Sequence, residues 1–335
     1  MDRPACNNHL ATKANLLPGI AALLILAVVG SAAEPVGEEP IAPLASSPII
    51  DQARADLGKK LFHDKRLSHG DAVACASCHR IDSGGDDGQP RSAGADGAPL
   101  DFNAPTIFNV ALNFRLNWRG NFRTLEEQNE AVLLDPRVMN TSWGELLPKL
   151  NADQDYRAAF ASLYGGDPDR KSVLDVLAAF QKSLTTPNAR FDRFLRGDQE
   201  ALSAEEKRGY SLFKTHCCVA CHQGANIGGN LFQKFGIFFD PFPERTSPDP
   251  GRYAITGREA DRYVFRVPSL RNVAVTAPYF HDGSVESLAE AIKIMARSQL
   301  GQTIEEDEID AIARFLMTLT GEYDGHPVGS LGVPR

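Results

Sequence analysis

The chain has 335 residues, a formal net charge of −8 and an ordinary hydrophobic fraction of 43%. Its length is enough for two domains, and its apolar content excludes a chain that is disordered throughout. The acidic balance argues against a nucleic-acid-binding protein, because such proteins present a basic face to phosphate. Six cysteines are too few for a disulfide scaffold of this length, so their spacing carries the information.

The N-terminus has the pattern of an export signal. An apolar run from Leu16 to Gly30 follows Arg3 and Lys13, and small residues up to Ala33 come after it. A positive start, a short apolar centre and small residues before a cleavage point are typical of a secretory signal peptide. An uncleaved anchor is the alternative, but the run is shorter than the roughly 20 residues that span a bilayer. We therefore predict that residues 1–33 are removed and that the protein is exported.

Apolar residues at helical spacing predict most of the regular structure. The patterns Ser203-x-x-Glu206 and Thr303-x-x-Glu306 are capping boxes, which predict where two of the helices begin. Long glycine-rich loops separate the helical segments, and alternating strand patterns are scarce. The predicted helices are Asp51–Phe62, Leu125–Leu134, Ser172–Leu184, Ser203–Lys214, Ser287–Gln299 and Thr303–Leu319.

Two cysteine motifs carry the chemistry. Residues 75–79 (CASCH) and 218–222 (CVACH) both have the pattern C-x-x-C-H, which is the attachment signature of c-type haem. Two thiols one helical turn apart reach the two vinyl groups of a haem, and the next imidazole points at the iron. A structural zinc site is the alternative, but its cysteine pairs usually lie within about 12–20 residues of each other. The predicted haem-binding residues are Cys75, Cys78, His79, Cys218, Cys221 and His222.

An iron bound by one histidine has a second axial position. Met295, on the predicted helix at residues 287–299, is the candidate for the second haem. A thioether opposite a histidine raises the reduction potential and suits electron transfer. On position alone, a core methionine at helical spacing would be the better interpretation of Met295.

Several long segments resemble the bacterial dihaem cytochrome c peroxidases, a family whose relatives include MauG, the methylamine-dehydrogenase maturation enzyme. The segments are LGKKLFHDKRLS, NAPTIFNVALNF, TLEEQ, CVACHQGANIGGNLFQKFG, FRVPSLRNVAVTAPYFHDGS and IKIMARSQLG. The resemblance extends from about Asp51 to Gly321. It implies a mostly α-helical fold of two c-type cytochrome domains, each with helices and long loops around one covalent haem. The expected division is a flexible leader at 34–50, domains at 51–190 and 191–325, and a tail at 326–335.

The resemblance also implies a function. The protein would be a periplasmic peroxidase that reduces hydrogen peroxide to water with electrons from a small cytochrome c or copper protein. The first haem would be the low-potential peroxidatic centre. The second haem, held by His222 and Met295, would be the high-potential entry point for electrons. A homodimer is a further expectation from the relatives.

Other residues match family positions one at a time. Trp118 matches a tryptophan that lies between the two haems, and Gln128 matches a glutamine of the peroxide pocket. Asn103 and the backbone carbonyls of Thr276 and Pro278 match a calcium site that bridges the domains. Amide and carbonyl oxygens suit this hard cation.

Two departures from the family pattern affect the expected chemistry. The family has a glutamate, as general acid and base, where this chain has Val138, and its loss would cost about 10²–10⁴ in rate. Many members also have a histidine that caps the resting first iron, and the matching residue is Ala95. The first haem should therefore be five-coordinate. Asp135, Glu127 or Glu130 could replace the missing glutamate if the loop turned one of them inward.

Two other functions stay open. A MauG-like oxidase would act on a side chain of a partner protein, although that enzyme has a tyrosine where this chain has Met295. A dihaem electron carrier without peroxide chemistry would agree with Val138. The nearby charges of Arg119 and Arg123 are interpreted as solvated or as partners of haem propionates rather than as catalysts.

Overall fold

The computed structural model describes residues 39–45, 50–243 and 249–330. The predicted signal peptide at 1–33 lies outside these residues. As predicted, the described chain is mostly α-helix and loop, with a few short strands. None of its helices combines the length and the apolar character that a membrane span requires. The elements are α1 Gln52–Phe62, α2 Cys75–Cys78, α3 Leu125–Leu134, α4 Trp143–Asn151, α5 Gln154–Tyr164, α6 Arg170–Ser183, α7 Arg190–Leu195, α8 Ala204–Thr215, β1 Phe232–Lys234, α9 Tyr253–Thr256, β2 Val264–Arg266, α10 Leu288–Leu300, α11 Glu306–Met317, β3 Glu322–Tyr323 and β4 His326–Pro327.

Two apolar cores organise the chain. In the first, α1 packs on α6, and fully buried side chains such as Phe62 and Phe160 fill the space around them. In the second, α8 packs on α11 around Phe191, Tyr210 and Phe315. Each core therefore combines the helix that precedes a C-x-x-C-H motif with a later helix of the same half. Burying aromatic and aliphatic side chains of this size contributes about 1.5–3 kcal/mol each to folding.

The same glycine contact recurs in both helix pairs. A Cβ atom added at Gly58 of α1 would lie 1.9 Å from the carbonyl oxygen of Val176 in α6. One added at Gly209 of α8 would lie 1.9 Å from the carbonyl oxygen of Ala311 in α11. The backbones of the two helices approach so closely at these points that only glycine fits. The two halves are therefore built on the same helix crossing.

Replacing Gly209 by alanine should destabilise the protein by about 1–3 kcal/mol, because the new methyl group must push α8 away from α11. Gly144 is the matched control, since it also lies in a helix and its nearest neighbour would be 3.8 Å from an added Cβ. Gly144→Ala should be neutral or stabilising. Denaturant unfolding of both variants measures the difference. Equal midpoints for the two variants would contradict the close crossing.

A buried hydrogen-bonded cluster joins the two halves. Asn109 and Asn272 occupy equivalent places in the sequences PTIFNVA and PSLRNVA, and both have left-handed backbones with φ of 58° and 63°. Their side-chain amides donate to the hydroxyl of Thr186, at 2.7 Å and 3.0 Å. The predicted domain boundary after residue 190 falls just beyond this point and stays a prediction.

Of the two predicted capping boxes, the structure contains one. Ser203 and Glu206 form the predicted capping box at the start of α8. The second predicted box is wrong: α11 begins at Glu306, and its N-cap residue Glu305 makes no side-chain capping bond. Thr303 lies before α11, in a part of the chain that is not helical.

Candidate haem and electron-transfer site

The first cysteine motif forms one helical turn. The short helix α2 begins at Cys75 and ends at Cys78, and the backbone N–H of His79 donates to the carbonyl of Cys75 at 3.0 Å. The Nδ1 atom of His79 lies 3.3 Å from the carbonyl oxygen of Gly85. Burial lowers the pKa of His79, so its imidazole is neutral. A neutral imidazole held through Nδ1 is the form in which histidine binds a metal through its other nitrogen.

The second motif has a similar turn. Cys218 begins a short 3-10 turn, and the backbone N–H of His222 donates to the Cys218 carbonyl at 3.0 Å. Burial lowers the pKa of His222 to about 4, against the opposing effect of the Ile227 and Pro268 carbonyls. Its Nδ1 atom is buried and has no hydrogen-bond partner in the described chain. Both motifs therefore end in neutral, half-buried imidazoles.

A cavity of about 250 Å³ opens beside the second motif. His222 and Met295 both line it, and Met295 is a half-buried residue of α10. The fold thus brings together two residues that are far apart in the sequence. The other walls are mostly apolar and include Phe213, Ile312 and Leu316. Such walls, with a cysteine pair and a neutral, half-buried imidazole, fit a covalently attached haem.

Trp118 also lines this cavity and connects it to the first half of the chain. The indole is 8% exposed, and its Nε1 atom donates to the carbonyl of Asn103 at 2.9 Å. Its ring meets the His281 ring edge to face, with centroids 6.4 Å apart. His281 in turn stacks on Phe265 at 4.4 Å. A continuous group of aromatic rings therefore runs from Trp118 along the cavity wall.

The residues of the predicted calcium site lie on the same cavity. Asn103, Thr276 and Pro278 all contribute to its wall. The amide nitrogen of Asn103 donates to the Gln89 carbonyl at 2.9 Å, so its amide oxygen is the atom available to a cation. In the described part of the chain, no three histidine, cysteine or acidic side chains cluster as metal ligands. A cation at this place would be held mainly by neutral oxygens.

Asp86 is a functional candidate that sequence reasoning missed. This residue is 2% exposed and lines the same cavity, and its Oδ2 atom is buried without a partner in the described chain. A Cβ atom added at Gly84 would lie 2.7 Å from Asp86 Oδ1 and 3.1 Å from the Thr276 methyl group, so these two residues are neighbours. Burial raises the pKa of the Asp86 carboxyl to about 7. Its position in a polar loop gave no signal of this burial.

Gln128, the residue predicted for the peroxide pocket, carries a side-chain atom without a hydrogen-bond partner in the described chain. Gln128 lies on α3, and its side-chain oxygen is buried and accepts no hydrogen bond from the described residues. The two family departures are neighbours, since the backbone N–H of Ala95 donates to the Val138 carbonyl at 2.9 Å. Val138 is half-buried against the first core.

The acidic residues suggested as replacements for the missing glutamate have other partners. Glu127 caps α3 by accepting from the backbone N–H of Arg123 and of Thr124. Glu130 forms an ion pair with Arg170. Asp135 accepts from the backbone N–H of Arg137 at 2.9 Å. These contacts argue against the hypothesis that one of the three turns into the pocket. Glu130 also accepts a hydrogen bond from the Trp143 indole N–H at 2.9 Å.

Comparison with known proteins identifies the family of the chain. A family profile described as di-haem cytochrome c peroxidase matches residues 52–200. Cytochrome c551 peroxidase of Nitrosomonas europaea is 39% identical over 314 residues, which cover 92% of each chain. Cytochrome c peroxidase Ccp of Escherichia coli is 40% identical over 287 residues, which cover 85% of this chain and 62% of the relative.

A solved structure shows the same architecture. The crystal structure of a MauG-like protein associated with microbial copper homeostasis has a TM-score of 0.73 and 29% identity. The match covers 84% of this chain and 93% of that one. The chain therefore belongs to the di-haem cytochrome c peroxidase family and is an oxidoreductase of the peroxidase type.

Proposed function

We propose that the protein is an exported, periplasmic peroxidase that binds two covalent haems and reduces hydrogen peroxide to water. Its electrons come from a small cytochrome c or copper protein. The observation that carries the proposal is the asymmetry of the two haem motifs. Both end in half-buried, neutral imidazoles, but His222 shares its cavity with the thioether of Met295. At the first haem, the position of the capping histidine is Ala95.

The residues of the chain have distinct roles in this proposal. Cys75 and Cys78 attach the first haem and His79 binds its iron, while the second motif does the same in the other half. When bound, the two irons supply the electron-transfer and peroxide-reducing chemistry. The buried oxygen of Gln128 accepts a hydrogen bond from a peroxide O–H and so orients the substrate. Trp118 belongs to the first half of the chain, and its indole N–H donates to the Asn103 carbonyl. It places an aromatic ring in the wall of the cavity beside the second motif.

Donor oxidation tests the proposed function. Purified protein with two haems per chain is mixed with hydrogen peroxide and reduced cytochrome c, and the oxidation of the donor is followed. Peroxide-dependent turnover supports the peroxidase. Peroxide consumption without donor turnover favours the MauG-like oxidase, although Met295 stands where that enzyme has a tyrosine.

A dihaem electron carrier is the second candidate. The observation that favours it is Val138, together with the existing contacts of Glu127 and Glu130. In that case no carboxylate would be available at the predicted peroxide pocket to transfer protons as a general acid and base. Such a carrier would exchange electrons with reduced cytochrome c but would not consume peroxide in the same assay.

We also propose a calcium ion bound by the Asn103 amide oxygen and the carbonyls of Thr276 and Pro278. The support is that all three residues line one cavity and that Asp86 brings an unpaired, buried carboxylate beside Thr276. Calcium prefers such oxygen ligands. A cation here would also compensate the buried charge of Asp86.

Calcium removal should lower stability. At a free calcium concentration 100 times its dissociation constant, binding to the folded state alone adds about 2.7 kcal/mol to the free energy of unfolding. Urea unfolding in calcium and in a chelator measures this increment, and Asn103→Ala should reduce it. Identical unfolding curves in both buffers would contradict the calcium site.

A further inference from the structure

Arg266 is a buried cation that has no anionic partner among the residues that the structure describes. It ends strand β2 and is 4% exposed. Its guanidinium donates to the carbonyls of Asn117 and Val267, both at 3.3 Å, and to the side-chain oxygen of Asn113 at 3.1 Å. All of these acceptors are neutral, and no carboxylate of the described chain forms an ion pair with Arg266. The Nη2 group makes no hydrogen bond with these residues.

The other arginines of this region differ from Arg266. Arg271, only five positions later and 1% exposed, has both Nη atoms 2.9 Å from the carboxylate of Asp192. Arg119 binds the carboxylate of Asp249 at 2.9 Å, so it already has a counter-charge. A buried charge without a partner costs several kcal/mol. Burial lowers the pKa of Arg266 to about 10, which still leaves it charged at neutral pH.

The position of Arg266 indicates the chemistry of the missing anion. Arg266 lines the cavity that also contains His222 and Met295. A c-type haem carries two propionate carboxylates, and a guanidinium pairs with a carboxylate through two parallel hydrogen bonds. We propose that Arg266 binds a propionate of the haem attached at the second motif. This inference rests on the proposed second haem.

The pairing has two consequences. A cation beside the haem favours the reduced state, because reduction adds a negative charge that the cation attracts. Arg266 therefore raises the reduction potential of the second haem. Its backbone N–H also donates to the Trp118 carbonyl at 2.9 Å, and its Nε atom donates to the Asn117 carbonyl. Arg266 is a positioning residue that ties the propionate to the segment carrying Trp118.

The test uses the complete holoprotein. The variants are Arg266→Gln, Arg266→Lys and the control Arg262→Gln, which removes the same charge from an ion pair with Glu259 outside the cavity. Haem content is measured first. Spectroelectrochemistry then gives the potential of each haem, and resonance Raman spectra record the propionate bending modes.

We expect Arg266→Gln to lower the ratio of ferrous to ferric second haem at least tenfold at a fixed potential, a shift of about 59 mV for one electron. Arg266→Lys should keep most of the potential but shift the propionate modes, because lysine cannot form the two-pronged contact. Arg262→Gln should change neither readout.

Three outcomes separate the possibilities. A wild-type protein with one haem per chain contradicts the proposed second haem itself. Two haems per chain, with an unchanged potential in Arg266→Gln, overturn the role of Arg266. If Arg266→Gln does not fold, unchanged propionate modes in Arg266→Lys overturn the pairing, whereas shifted modes support it.

Discussion

Replacing Val138 by glutamate should raise the rate of peroxide turnover by about 10²-fold or more, since a positioned general acid and base contributes about 10²–10⁴. In the predicted peroxide pocket the new carboxylate would join Gln128, whose side-chain oxygen is buried and accepts no hydrogen bond from the described residues. The backbone contact between Ala95 and Val138 does not involve the substituted side chain, so the loop should keep its path. Steady-state oxidation of reduced cytochrome c at varied peroxide concentration measures kcat/KM.

Val138→Gln is the control for this prediction. Glutamine has nearly the size of glutamate and can form hydrogen bonds, but it cannot exchange a proton with the peroxide. It should therefore stay close to the wild-type rate. If the glutamate variant is no faster than the glutamine variant while both contain two haems, Val138 does not occupy the general acid–base position.

Met295→Ala should have the second large effect. Removing the thioether would take away the proposed axial ligand, whose presence would raise the potential of the second haem, and axial ligands tune haem potentials over about 0.8 V. The expected result is a lower potential and at least a tenfold slower oxidation of the donor. Spectroelectrochemistry and donor kinetics measure the two quantities.

Met317→Ala is the matched control, because Met317 is 54% exposed at the end of α11 and does not line the cavity. It should leave both quantities unchanged. Equal potentials in Met295→Ala and wild type would show that Met295 is a packing residue rather than a ligand.

Local signals predicted the parts of the fold that depend on neighbouring residues. The C-x-x-C-H turns and the Ser203 capping box need only a few consecutive residues, and both are present. Helix α4 was not predicted, because Pro148 interrupts its pattern and its amphipathic stretch is short. The pattern Thr303-x-x-Glu306 predicts a helix that begins at Thr303. The same pattern can also occur in a loop that precedes a helix, and it does so here.

The burial of side chains by contacts between distant parts of the chain could not be predicted from the sequence. Asp86 and Arg266 are charged residues in loop or strand positions, and such residues are mostly exposed in proteins. Their burial results from the packing of one half of the chain against the other, as the contact between Arg266 and Trp118 illustrates. By contrast, the segment Thr303–Leu319, predicted as a helix from its apolar spacing, buries the apolar residues Ile309, Ile312 and Leu319.

The unpaired guanidinium of Arg266 also has a consequence for the maturation of the protein. Without an anion in the cavity, the folded chain retains the desolvation cost of a buried charge. A ligand that binds only the folded state shifts the equilibrium towards folding. Insertion of the second haem should therefore stabilise the folded state, and the cofactor-free chain should be the form more accessible to proteases.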